Sequence, residues 1–341
     1  MTDLIIAGGG PAGLATALWA CRLGLEPLVL DHRAGTIDKA CGEGLMPGAV
    51  AALARLDIDP EGRPLTGIRY VSGSRSVAAP FRAGPGRGVR RTTLHAAMRQ
   101  AVDAAGIRVL HEAVTDVHHG TDGIVVNGTC APWLVAADGL HSPVRRMVGL
   151  EMPLARATHR FGLRRHFELA PWTSKVEVHW SRAGEAYVTP VGPGLVGVAV
   201  LTDQRGGFDD QLRTFPALAD RLTGAVGGEV RGAGPLRQRA RRRVAGRVLL
   251  VGDAAGYVDA LTGEGIALAL AQARVAVAAI AAGRPETYER SWRSVTRRYR
   301  LLTESLLFAT RRPSLRAALV PAAGAVPAVF GGIVNTLARP A

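Results

Sequence analysis

The 341-residue chain has almost no lysine: only Lys39 and Lys175, so forty of its 42 Lys and Arg residues are arginines. Aromatic residues make up 5 % and no recognised nucleic-acid-binding motif appears, so a nucleic-acid partner is not expected despite a formal charge of +14. The arginines are spread along the chain apart from Arg237 to Arg247. A solvated surface accounts for most of them, with an anionic cofactor, substrate or membrane surface as other takers. The cysteines are three, Cys21, Cys41 and Cys130, without metal-ligand or disulfide spacing, so neither a zinc site nor a disulfide framework is expected. No signal peptide is recognisable ahead of the first apolar run, and both observations lead to the expectation of a cytoplasmic protein. The one long apolar stretch, Leu319 to Leu337, is interrupted by Pro321 and Pro327 and is short for a membrane span. It reads as a packed helix or substrate lid, with peripheral contact of the basic C-terminal tail with a membrane surface as the alternative. An apolar content of 48 % with 21 % charged residues describes a folded chain, long enough for two lobes.

The N-terminus carries the strongest signal. The apolar run Leu4-Ile5-Ile6-Ala7 leads into Gly8-Gly9-Gly10-Pro11-Ala12-Gly13, then an alanine-rich helix over Leu14 to Leu23 with Gly24 as its cap, then Leu28-Val29-Leu30 and Asp31. Strand, glycine turn, helix, strand and terminal acid make up a dinucleotide-binding unit. Gly8 permits the tight turn, Gly10 lets backbone approach a pyrophosphate, and Gly13 lets helix and sheet pack closely. Pro11 suits the first helical position, and the helix N-terminus, reached through Ala12, directs free N–H groups at phosphates. Asp31 stands where a carboxylate can accept hydrogen bonds from a ribose diol, flanked by His32 and Arg33.

Further on, Ala34 to Gly48 reads as a loop and Ala49 to Leu56 as a short helix. Leu65 to Phe81 reads as a hairpin turning at Ser72-Gly73-Ser74, and Arg82 to Gly88 as a crossing segment. Thr92 to Gly106 has helical spacing. Three strands follow, Arg108 to Val117, Ile124 to Cys130 and Trp133 to Ala137, with Thr121-Asp122-Gly123 as a turn. From Thr158 to Thr202 the apolar period is two, which predicts an antiparallel sheet and hence a second lobe. Phe208 to Leu222 reads as one helix, Arg247 to Val251 as a strand returning to the first lobe, and Gly265 to Ala282 as a long helix.

Three further motifs carry chemistry. Arg91 stands at the mouth of a helix, where its fork of donors can reach a cofactor. Asp138-Gly139-Leu140-His141-Ser142-Pro143-Val144-Arg145 follows a strand directly. Gly252-Asp253-Ala254-Ala255, then Gly263-Glu264-Gly265-Ile266, lies between strand and helix, where amides and a positive helix end can face a flat ring. His118-His119 reads as a solvated pair and His141 as a loop residue. Glu264 reads equally as a ring-side acid or as a charge stabilised by the helix dipole.

The chain here resembles the flavin-dependent hydroxylases of the para-hydroxybenzoate hydroxylase type and their relatives the geranylgeranyl reductases. The three motifs GGGPAG, DGxxSxxR and GDAA occur in order over about residues 1 to 285. The resemblance implies an α/β fold with a Rossmann-like FAD-binding lobe (GR2-type), an antiparallel β-sheet substrate lobe and a C-terminal helical tail. The expected division is 1–64, 89–157 and 244–285 for the FAD lobe, 65–88 and 158–243 for the substrate lobe, and 286–341 for the tail. It implies FAD as cofactor, with NAD(P)H as a transient reductant. Asp31 would bind the adenosine ribose, Arg91 the FAD chain, Asp253 the ribityl–pyrophosphate region, and Gly263 to Gly265 the ring edge, with Val114, Asp138 and Gly139 also on the cofactor side.

The family's hydroxylases often have His after GDAA and GQG-x-N at the ring, where this chain has Gly256 and Gly263-Glu264-Gly265-Ile266. Cys41-Gly42-Glu43-Gly44-Leu45 looks more like the reductase branch. Two activities therefore stand open. The expected one is an NAD(P)H-dependent monooxygenase hydroxylating a hydrophobic aromatic or polyketide-like substrate. The alternative is a flavin-dependent reductase of isoprenoid double bonds, with Cys41, Glu43 and Tyr187 as proton-donor candidates by position. Cys41 is as readily a small residue filling its loop.

Overall fold

The computed structural model describes residues 2–120, 123–153 and 160–339. The Thr121-Asp122 turn, and Thr158 at the expected start of the second lobe, lie outside the described residues.

A six-stranded sheet forms the first layer. Leu4–Ala7 lies at its centre, parallel to Pro27–Leu30 on one side and Trp133–Ala136 on the other; Arg108–Leu110 and Val248–Leu250 extend it in parallel, and Val244–Ala245 closes one edge antiparallel. The central strands are apolar and almost fully buried, as a parallel sheet covered by helices requires, while the edge strand Arg108–Leu110 is largely exposed. Helix Pro11–Arg22 packs on the sheet beside Gly265–Ala281 and Arg91–Ala104. The first helix starts at Pro11, three residues earlier than its apolar pattern suggests, because Pro is preorganised for the first turn.

The second layer is an eight-stranded sheet built on Phe161–Glu168, Val176–Trp180, Gly184–Gly192 and Leu195–Thr202, with the hairpin Gly67–Ser72/Arg75–Pro80 at one edge. It departs from the purely antiparallel sheet expected, because Val176–Trp180 pairs in parallel with Gly67–Ser72. That pairing joins segments about a hundred residues apart, and alternation of period two is the same for either direction. Three other expectations are corrected. The run from Arg108 to Val117 is split between two sheets, with Val117–His119 pairing to Ile124–Val126. Phe208–Leu212 and Pro216–Leu222 are separate helices, since Pro216 removes an N–H and starts a new first turn. Gly44–Leu45 and Arg63–Leu65, from the supposed loop and its sequel, sandwich Gly86–Gly88 in a small sheet of their own.

The tail is helical: Thr287–Thr310, Pro313–Ala325 and Pro327–Leu337, the last two bent by 104° at Val326. Phe330 and Val334 pack on Ala79 of the hairpin, Tyr70 and Phe330 rings lie 4.8 Å apart, and Asn335 donates to Pro80 O and accepts from the Arg82 N–H. Among the described residues no single helix is long and apolar enough to cross a membrane.

Candidate active site

Three neighbouring strands of the parallel sheet end in the three motifs. Leu4–Ala7 runs into Gly8, Trp133–Ala136 into Asp138, and Val248–Leu250 into Gly252, so sheet order alone sets the motifs side by side. Glycine is needed sterically at the junctions. A Cβ on Gly8 would come 2.5 Å from Ala137 O, and Gly8 itself has φ +106°. A Cβ on Gly13 would lie 1.8 Å from Gly8 O. Arg145, fully buried, ties the second motif to the third: it donates to Leu140 O (3.1 Å), Ala254 O (3.2 Å) and Gln238 Oε1 (3.1 Å).

The motifs open onto a cavity of about 700 Å³, of a size that encloses small ligands. Its wall includes Gly10, Pro11, Ala12, Arg33, Arg91, Asp138, Gly139, Gly252, Asp253, Gly263, Gly265 and Ile266, together with Cys41, Glu43 and Tyr187. Gly8 and Gly13 stand behind the wall, shaping the turn. Val114 packs against the core of the first lobe, His32 is exposed, and the Glu264 side chain is buried away from the wall. Asp31 is also off the wall. Its carboxylate accepts the Gly9 N–H (2.5 Å) and the Arg33 backbone and side chain. Burial alone would raise this acid; the hydrogen bonds from Arg33 and Gly9 outweigh it and hold the group below the usual carboxylate range.

Several wall groups lack partners. Arg91 is buried with Nη1 unsatisfied, and burial pulls its guanidinium below the usual arginine range. Asp138 accepts the Val144 N–H through Oδ2, while buried Oδ1 has no partner. A Cβ on Gly10 would meet nothing within 4 Å, so the space over the helix N-terminus is open. A donor at Arg91, a bare turn at Gly10 and a helix N-terminus fit the phosphates of an FAD. The residues at Gly263 to Gly265 open the second helix in the same way.

Sequence reasoning passed over two features. Lys39 lines the cavity, its Nζ 3.8 Å from Asp253 Oδ2, a basic group beside the third motif; being one of two lysines among forty arginines was the available signal. The other is a buried polar cluster between the lobes. Glu43 Oε1 accepts the Arg91 N–H (2.8 Å), Glu43 Oε2 lies 2.6 Å from His166 Nε2, and Arg164 contacts both His166 and Asp38. Thr189 fastens the same loop by donating to Gly42 O (2.7 Å). Burial pushes the Cys41 thiol up, so it faces the cavity protonated. The Tyr187 hydroxyl donates to Leu261 O (2.6 Å), which holds the ring-side turn. Burial pushes the Glu264 carboxyl up to about 8, so at neutral pH it brings little charge to the helix end. His118 and His119 are exposed, as is the His141 side chain.

The profile described as "FAD binding domain" matches residues 1–287. The chain is 32 % identical to the menaquinone reductase of Mycolicibacterium smegmatis, over 85 % of this chain and 79 % of that protein. It is 28 % identical to digeranylgeranylglycerophospholipid reductase 1 of Methanothermobacter thermautotrophicus, over 77 % and 73 %. The structure of the flavin-dependent brominase Bmp2 superposes with a TM-score of 0.84 at 16 % identity, covering 99 % of this chain and 93 % of that one, which is a likeness of fold.

Proposed function

The chain belongs to the FAD binding domain family, and from that premise we propose that this FAD-dependent oxidoreductase is a reductase of a long, apolar substrate of isoprenoid or quinone type, itself reduced by NAD(P)H. The observation that carries this reading is the cavity. Its wall joins the glycine turns of the three motifs and the Cys41–Glu43 loop to an apolar group of Tyr70, Val178, Leu319 and Phe330. The relatives named as reductases support it.

Bound FAD supplies a carrier of two electrons as hydride. Gly10, Arg91 and Asp253 would hold its phosphates and ribityl chain, and the amides at Gly263 to Gly265 its ring edge. The apolar far wall excludes water and orients an extended chain. Reducing a double bond also needs a proton, and the loop at this wall brings two acid-bearing side chains, the Cys41 thiol and the Glu43 carboxyl. Tyr187, its proton committed to Leu261 O, positions the turn instead.

The tail supplies the route in. Val329 and Ile333 line the cavity and are also exposed at its mouth, with exposed Arg311, Arg312 and Arg339 on the same tail. An anionic membrane surface fits this combination of apolar ridge and basic rim.

Oxygen insertion is the other reading of the same motifs, and one assay separates them. NAD(P)H consumption is followed with and without oxygen, against prenyl lipids, quinones and phenols. Full-rate anaerobic turnover, with product heavier by two hydrogens, is the expected result. Strict dependence on oxygen, with product heavier by one oxygen atom, would replace the reductase with a monooxygenase.

A further inference from the structure

We propose that Arg164 locks His166 as a neutral imidazole, so that any proton taken up by the buried Glu43–His166 couple resides on the Glu43 carboxyl, at the cavity wall. Arg164 Nη1 lies 3.0 Å from His166 Nδ1. A guanidinium has only donors, so Nδ1 accepts, and the ring hydrogen of a neutral imidazole must then sit on Nε2. Nε2 is 2.6 Å from Glu43 Oε2 and donates to it. A second proton on the ring would have to displace Arg164 from Nδ1 and set two cations together where Arg164 is 2 % exposed. Asp38 fixes Arg164 from the far side and is itself held by Arg231 Nε at 3.2 Å.

The charges around the couple agree. Asp38 and Glu43 come from the loop, with the protonated Cys41; Arg91 comes from its helix, Arg164 from the strand of His166, and Arg231 from the neighbouring strand. Arg164 touches the ring itself, so a second ring proton would meet a cation directly, whereas Glu43 is met by Arg91 through a backbone N–H. Glu43 can take the proton, since a carboxylate offers about four lone-pair sites and two are filled here, by His166 and the Arg91 N–H. Glu43 lines the cavity while His166 stands behind it. The fold makes room for this acid: Glu43 has φ +58°, and a Cβ on Gly197 would come 2.8 Å from its Oε2.

Resting on the reductase reading, Glu43 is then the acid of the reaction. Its O–H bond would break as the π electrons of the substrate double bond form the new C–H bond, and the hydride for the other carbon is what a bound, NAD(P)H-reduced flavin would supply. The Glu43 carboxylate that remains is still held by His166 and Arg91. His166 and Arg164 are positioning residues.

The test is ¹⁵N NMR of the flavoprotein labelled at histidine, with His166 assigned by its loss in His166→Asn. The expected signature at pH 7 is a neutral ring that carries its hydrogen on Nε2. Arg164→Met, which removes the donor at Nδ1, should let the hydrogen distribute between the two ring nitrogens, and Arg164→Lys, which restores a donor, should recover the wild-type signature. A wild-type His166 that is doubly protonated at pH 7, or carries its hydrogen on Nδ1, overturns the proposal. The signal does not depend on turnover, so a failed reductase assay leaves it readable, and its own failure leaves the reductase reading standing.

Discussion

Two glycines of one motif should fail in opposite ways. Gly10 caps the first helix with φ −77° and ψ 179°, values open to any residue, and a Cβ there would touch nothing within 4 Å. Gly10→Ala should therefore fold, at a cost of no more than about 1 kcal/mol through the poorer N-cap. Its methyl group occupies the space where FAD pyrophosphate must meet the backbone. Losing two charge-assisted contacts there, at about 1.5 kcal/mol each, weakens FAD binding by roughly 3 kcal/mol, or about a hundredfold in Kd. Gly13→Ala is the reverse. Its Cβ would lie 1.8 Å from Gly8 O, a backbone atom that cannot rotate away. The helix would have to retreat by more than an ångström from a sheet in which Ile5 and Ile6 are fully buried. Overpacking of this kind costs about 3 kcal/mol or more and should reduce the yield of folded apoprotein. Urea unfolding of the apoproteins gives stability, and flavin fluorescence quenching gives Kd. Gly10→Ala retaining an FAD Kd within threefold of wild type would refute the placement of the pyrophosphate. Equal destabilisation by the two substitutions would refute the steric argument.

Other expectations follow from buried charge and exposed apolar surface. The Glu264 carboxyl titrates at about 8 in the fold against 4.5 in the unfolded chain. The native state thus binds this proton more tightly, and the stability it contributes is present below pH 4.5 and lost as pH rises to about 8. Glu264→Gln should stabilise the protein in melts at pH 8.5 but not at pH 4.5, by an amount on the order of 5 kcal/mol at most; an equal effect at both pH values would contradict the buried neutral acid. Arg160 pairs with the buried carboxylates of Glu185 and Asp259, so Arg160→Met should destabilise by about 3–5 kcal/mol in urea titrations at pH 7. Cys130 is exposed and the Cys41 thiol is shifted up, so iodoacetamide at pH 7 should alkylate Cys130 first, as mass spectrometry of timed digests would show. Ile333→Asp with Val329→Asp should abolish sedimentation with vesicles of phosphatidylglycerol and leave FAD binding unchanged; unaltered sedimentation would remove the membrane-docking role of the tail.

What could be read from the sequence was what backbone sterics dictate locally. Gly8 and Gly13 are glycine because a carbonyl leaves no room for more, so the motif announces its own geometry. Strand direction and sheet membership are not local in this sense. Arg108–Leu110 and Val117–His119 look like one apolar run, and only pairing to Pro27–Leu30 and Ile124–Val126 assigns them to different sheets. The break at Pro216, where one helix was expected, did carry a local signal that the apolar spacing overrode, since proline lacks the N–H that would continue the helix. The Glu43–His166 contact spans 123 residues, and nothing in an alternating strand marks one histidine as the partner of a distant loop.

Arginine shows the limit most sharply. With forty in the chain, the residue type alone says little about any one of them. Burial separates them. Arg91, Arg145, Arg164 and Arg243 are buried among the described residues, and each is tied to a motif or to the loop facing the cavity. The Arg91 amide holds Glu43, Arg145 and Arg243 donate to Ala254 O and Ala255 O of the GDAA turn, and Arg164 meets His166. A cation withdrawn from water persists only where carbonyls, carboxylates or a ligand replace the lost solvation. The four buried arginines therefore mark where this fold concentrates its polar contacts, and Arg91 is the one of the four whose buried terminal nitrogen, Nη1, lacks a protein partner.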